Sequence, residues 1–150
     1  MARRQRIDSN AGIEAAVVAS FRQIVPPEHV ALDACDMPFW QSVVDEFPKS
    51  EWTTHQLEVA AQLAKTMSDL ESERAALRIE GYVIDGKANP RHGVARDLTN
   101  SIMSLRRNLS LHARVKQGEA VVVAERRNST KEIEAGASTT DDLIARPSYQ

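Results

Sequence analysis

The most constraining feature of this sequence is an unbroken stretch. Between Thr53 and Gly81 there is neither proline nor glycine, and both ends carry helix-terminating chemistry. Thr53-Thr54-His55-Gln56 fits a capping box, in which the Thr53 hydroxyl accepts from the Gln56 amide and Gln56 reaches back. Gly81 stands where a glycine suits the residue just past a helix. Such a helix is about 40 Å long at 1.5 Å per residue. Its apolar positions, Leu57, Val59, Ala60, Leu63, Ala64, Met67, Leu70 and Leu77, span more than one neighbour needs. That width predicts contacts on two sides.

A partner helix follows at once. Gly81 to Asn89 predicts a loop, folded as a small hairpin around Asp85-Gly86. Asn89-Pro90 restarts the helix, with Asn as cap and Pro in the first turn. Val94, Leu98, Ile102, Leu105 and Leu109 then recur at helical spacing. At about 100° per residue, Arg96, Asn100, Arg107 and Arg114 fall on the opposite side. Two helices joined this closely form an antiparallel helical hairpin.

The flanks read as smaller pieces. Asn10 is expected to cap a helix over 11–24, stopped by Pro26-Pro27. Glu28 to Ala34 predicts a short second helix. Asp36 caps a third over 37–47, with Pro38 in its first turn and Phe39, Trp40, Val43, Val44 and Phe47 as its buried side. Three short helices with tight breaks are compatible with a helix-turn-helix-like module. Trp40 and Trp52 are expected as core anchors. Beyond Gly118, Ala120-Val121-Val122-Val123-Ala124 is β-branched enough to predict a short β segment. The rest, rich in Ser, Thr, Glu and Asp, reads as a flexible tail. The expected fold class is thus all-α, with segments 1–9 as a basic arm, 10–50 as a helical module, 51–114 as the hairpin and 115–150 as the tail.

Several function classes lose support here. The lone Cys35, expected as a small buried hydrophobe, gives no disulfide framework and no multi-thiolate zinc site. His29, His55, His92 and His112 are scattered, so no metal and no cofactor is expected. There is no GxxxxGK[ST], GxGxxG or HExxH. No apolar run approaches a membrane span. The net charge of −2 conceals segregation: residues 28–80 carry −7, and residues 81–118 carry +5. A local basic field of that kind suits nucleic acid or a complementary subunit.

Taken in order, Trp40-x-x-Val43-Val44, Trp52-Thr53-Thr54, Glu80-Gly81, Asn89-Pro90 and Leu109-Ser110-Leu111 resemble the small terminase subunit of tailed bacteriophages, over roughly residues 28–115. Related sequences often carry Gly between the closing leucines, where this chain has Ser110. The resemblance implies a non-enzymatic component of the genome-packaging motor, acting in the cytoplasm of the infected host. It implies a homo-oligomeric ring, the packaging site on double-stranded viral DNA as one partner, and the large ATPase and nuclease subunit as another.

On that reading the candidate DNA contacts are Arg3, Arg4 and Arg6 in the arm, with Arg91, Arg96, Arg107, Arg114 and Lys116 from the basic segment. Candidate oligomerisation residues are Leu57, Leu63, Met67, Leu70, Leu98, Ile102 and Leu105. Arg126-Arg127 and the acidic stretch Thr139 to Leu143 are candidates for docking the large subunit. Competing readings are a dimeric helix-turn-helix transcription regulator and an adaptor that binds no DNA.

Overall fold

The computed structural model describes residues 10–111 and 119–139. Five helices dominate: α1 (Asn10–Ser20), α2 (Met37–Val44), α3 (Thr54–Glu80), α4 (Arg91–Asn108) and α5 (Glu119–Thr139). A single 3-10 turn, Lys49–Glu51, precedes α3, and strands β1 (Val83–Ile84) and β2 (Lys87–Ala88) lie between α3 and α4.

The long helix forms as its ends dictate. The Thr53 hydroxyl accepts from the Gln56 amide, and the Gln56 side chain accepts from the Thr53 amide, completing the capping box. Gly81 closes the helix at φ 86°, donating its amide to the Leu77 carbonyl. That backbone is open to glycine and strained for any other residue. Val83 and Ile84 pair antiparallel with Ala88 and Lys87. Asp85 at φ 51° and Gly86 at φ 74° make the tight turn between them.

Asn89 then restarts the chain as a helix. Its Oδ1 accepts from the Arg91 amide at 3.0 Å, while its Nδ2 donates to Glu80 at 3.0 Å and to the Gly81 carbonyl at 3.1 Å. The far end of α4 is a Schellman close. The Leu111 amide donates to the Arg106 carbonyl at 2.8 Å and the Ser110 amide to that of Arg107 at 3.0 Å, with Ser110 at φ 58°.

Both sides of α3 are taken up within one chain. α2 and α4 each pack on it. Ala60, Ala61, Leu63 and Ala64 lose all exposure, and Trp40, Val43 and Val44 from α2 are buried. Small alanines let the Trp40 helix approach closely. Beyond Leu70 the demand drops, and Leu77 alone is fully buried. The two-sided apolar surface therefore needs no second copy to cover it.

The described residues group into two compact units. One holds α1, residues 47–52 and α5; the other holds residues 25–46 with α2, and α3 through α4. Thus α1 groups with α5, and α2 with α3 and α4.

Three further expectations are corrected. The first helix ends at Ser20, not 24. Its Ser20 hydroxyl donates to the Val17 carbonyl at 2.6 Å, and the Lys49 ammonium takes the Ser20 carbonyl at 2.9 Å. Glu28 to Ala34 is not a helix: residues 28–30 turn, with the Val30 amide donating to the Pro27 carbonyl, and 31–33 carry no regular structure. Residues 119–139 are neither strand nor loose tail but α5, and the rest of the expected tail, from residue 140 on, lies outside the described residues. Helix α5 packs on α1, whose inward face is small (Ala16 and Ser20 buried).

Partners distant in sequence fix α5. Glu134, buried, accepts from the Lys49 amide at 2.8 Å and the Ser50 amide at 3.0 Å. Arg127 lies 4.1 Å above the Phe47 ring and donates to Glu51 at 2.9 Å. Phe47 in turn meets Trp52 at 5.3 Å between ring centroids. Both tryptophans are core anchors, as expected.

Candidate nucleic-acid interface

The helical hairpin displays its cations in two chemically different ways. At the bend, Arg91 is held. Its Nε donates to both Glu80 oxygens at 3.0 and 3.1 Å, and one terminal nitrogen donates to both Glu73 oxygens at 3.1 and 3.0 Å. The Glu73 hydrogen bonds and the Glu80 charge hold this guanidinium more firmly protonated than usual. Such fork geometry positions the start of α4 against the end of α3. A phosphate at Arg91 must compete with two carboxylates.

Further along, the surface changes. Arg96, Asn100 and Arg107 are all exposed, on the outward face that the periodicity predicts. Among the described residues Arg96 makes one ion pair, to Asp97 at 3.3 Å. No acidic residue follows Asp97 through Leu111. The last turn of α4 holds Arg106 and Arg107, whose guanidinium groups make no ion pair among the described residues. Cations there also suit the negative end of the helix dipole. Arg106 was missed by sequence reasoning that tracked one helical stripe. The signal that reveals it is the run without acids.

The remaining candidates divide clearly. Arg3, Arg4, Arg6, Arg114 and Lys116 lie outside the described residues, as does the acidic stretch from residue 140 onward. Leu57, Leu63, Leu70 and Ile102 are buried within one chain, while Met67, Leu98 and Leu105 are half-buried. Four of these seven side chains are thus covered within one chain, and three keep part of their surface open. Val94, expected on the same stripe, is exposed, as are Ile79, Val83 and Ile84 at the bend.

Helix α2 has little to offer a base edge. Gln41 gives its amide to Asp45 at 2.7 Å, and nearby Lys49 is committed to Ser20. Cys35, expected as a buried hydrophobe, is exposed, with its thiol 3.6 Å from Asp36. Asp36 itself is buried and accepts from the Asp33 amide at 3.0 Å. Burial pushes its carboxyl up, but the Asp33 amide, the Ser68 hydroxyl, the Cys35 thiol and the Lys65 charge outweigh this and leave it below its ordinary range. His29 and His55 both approach Glu58, at 3.6 and 3.4 Å. Among the described residues no group of three or more His, Cys, Asp or Glu stands close enough to hold a metal. None of their helices is long and apolar enough to cross a membrane.

Comparison with known proteins completes the description. The family model described as the Hendrixvirinae small terminase family matches residues 1–150, the whole chain. No curated protein matches.

Proposed function

This chain belongs to the Hendrixvirinae small terminase family, which places it in phage DNA packaging, and on that premise we propose that it is the non-catalytic subunit that selects the viral DNA to be packaged. In this reading it binds the packaging site on concatemeric DNA as a ring, in the cytoplasm of the infected host. It recruits the large subunit and regulates its ATPase and nuclease.

The whole-chain family match carries the proposal. The structure supports it through the outward face of α4, where Arg96, Arg106 and Arg107 gather without an acid beyond Asp97. Cations of this kind attract phosphates and give binding that weakens with salt. The arm residues Arg3, Arg4 and Arg6, with Arg114 and Lys116, extend the same chemistry by sequence. A ring raises the effective concentration of such weak contacts.

Assembly is assigned to a different surface from the hairpin seam. Leu57, Leu63, Leu70 and Ile102 are consumed inside the chain. The exposed apolar side chains Ile79, Val83 and Ile84 at the bend are the group a neighbouring copy covers in head-to-tail closure.

Light scattering and electron micrographs of the purified chain test assembly, with closed rings expected. Filter retention on duplex DNA carrying the phage packaging site tests recognition against unrelated duplex. Monomers that show no preference for that site overturn the proposal.

A further inference from the structure

Beside the bend, within the α2–α3–α4 unit, lies an open groove of about 280 Å³. Arg74 enters it from α3 and Arg96 from α4, over a floor that includes Leu77. Tyr82 and His92 form one wall, their rings edge to face at 6.3 Å between centroids. Asn100 supplies an amide with one donor group and one acceptor. Among the described residues no carboxylate lines the groove.

The two guanidinium groups are weakly engaged. Arg74 reaches Glu71 at 3.4 Å and Arg96 reaches Asp97 at 3.3 Å, each on its own helix and each well exposed. Arg91, one helical turn and a half before Arg96 on α4, makes four bonds at 3.0 to 3.1 Å. Like charges facing one space favour an anion between them. Tyr82 is largely exposed, so its ring face is open to stacking. Cationic groups beside an aromatic wall and an apolar floor suit an anion that carries a flat ring.

We propose that this groove binds a nucleotide, with the phosphate held between Arg74 and Arg96 and the base against Tyr82 and His92. The same chemistry is presented by a free nucleotide and by one unit of an unpaired DNA strand. It is not presented by intact duplex, whose bases are stacked and cannot meet a ring wall. The inference therefore goes beyond duplex phosphate binding by the α4 face.

Binding to the full chain is measured with ATP, inorganic phosphate and a short oligothymidylate as probes, and with duplex DNA in parallel. Saturable binding of ATP or of the oligothymidylate is expected. Response to ATP alone identifies the free nucleotide as the source, and response to the oligothymidylate alone identifies the unpaired strand. Arg74→Ala and Arg96→Ala should each weaken it about tenfold, the loss of one charge-assisted contact. Tyr82→Ala should weaken it, while Lys87→Ala, an exposed cation outside the groove lining, leaves it unchanged. Circular dichroism confirms that each variant is folded. Absence of binding, indifference to Arg74→Ala and Arg96→Ala, or equal competition by inorganic phosphate overturns the inference. Loss of duplex retention with nucleotide binding intact counts only against the packaging-site reading.

Discussion

Asn89 donates its side-chain amide to the Glu80 carboxylate at 3.0 Å, tying the residue just ahead of Pro90 and α4 to the last residue of α3. The same amide reaches the Gly81 carbonyl, and Asn89 is 2% exposed. One buried side chain therefore caps the second helix and clasps the end of the first. Asn89→Ala should cost about 2 to 3 kcal/mol in denaturant unfolding, because buried partners are left unmet. Asn89→Asp should be at least as damaging, since it sets a carboxylate against Glu80. A change of only a few tenths for both would show that the bend is held elsewhere.

Ser110 pays for the Schellman close with a φ of 58°. The left-handed region costs a residue with a Cβ roughly 1 kcal/mol or more, and glycine far less. Ser110→Gly should therefore stabilise the chain by about 0.5 to 1 kcal/mol, after allowing for glycine's greater unfolded entropy. Thermal unfolding of the two proteins at equal concentration decides it. A destabilised glycine variant would mean that the Ser110 side chain contributes something the backbone geometry does not reveal.

Asp36 makes stability depend on acid. Its folded carboxyl titrates below the ordinary value of 3.8 despite burial, so the unfolded chain binds a proton first as pH falls. Its contribution is fully present above the unfolded carboxylate range and disappears as pH drops through the folded value. Asp36→Asn should lower stability at neutral pH by about 2 kcal/mol and flatten the acid limb of the stability curve. Urea unfolding at a series of pH values reads both effects. An unchanged acid limb would remove Asp36 from the account.

The parts of the fold that were legible are those whose signals are local. The Thr53–Gln56 box, Gly81, Asp85-Gly86 and Asn89-Pro90 each settle their conformation within a few residues. What was illegible depends on distant partners. The residues 121–123, all Val, suggest a strand by propensity, yet α5 is held by Glu134 and Arg127 reaching back some eighty residues. No apolar stripe announced that face, because its buried residues include Thr130 and Glu134. The candidate site divides in the same way. Periodicity placed Arg96 and Arg107 outward, but only the fold shows Arg91 engaged by two glutamates and Arg74 sharing a groove with Arg96.

That division separates two arginines by experiment. Each phosphate contact contributes about 0.9 to the slope of log affinity against log salt on duplex DNA. Arg107→Ala should reduce the slope by about that amount per chain engaged. Arg91→Ala should instead lower the thermal midpoint and leave the slope unchanged, because its guanidinium serves Glu73 and Glu80. Fluorescence anisotropy across a salt series measures the slopes. The reverse pattern would move the phosphate contact to the bend.

Glu134 offers the sharpest local test. Its two oxygens take the amides of Lys49 and Ser50, at the start of the 3-10 turn, where an anion also meets the unpaired ends of backbone donors. Glu134→Ala leaves both amides without that acceptor and should cost about 2 to 3 kcal/mol. The loss should fall on one unit, since α1, the 3-10 turn and α5 cluster separately from α2, α3 and α4. Hydrogen exchange should thus speed up at Lys49, Ser50 and along α5, while amides in the middle of α4 keep their protection. Glu134→Gln retains one acceptor oxygen and should restore part of the protection. Uniform loss across both units would show that they unfold as one, and that α5 supports the hairpin as well as α1.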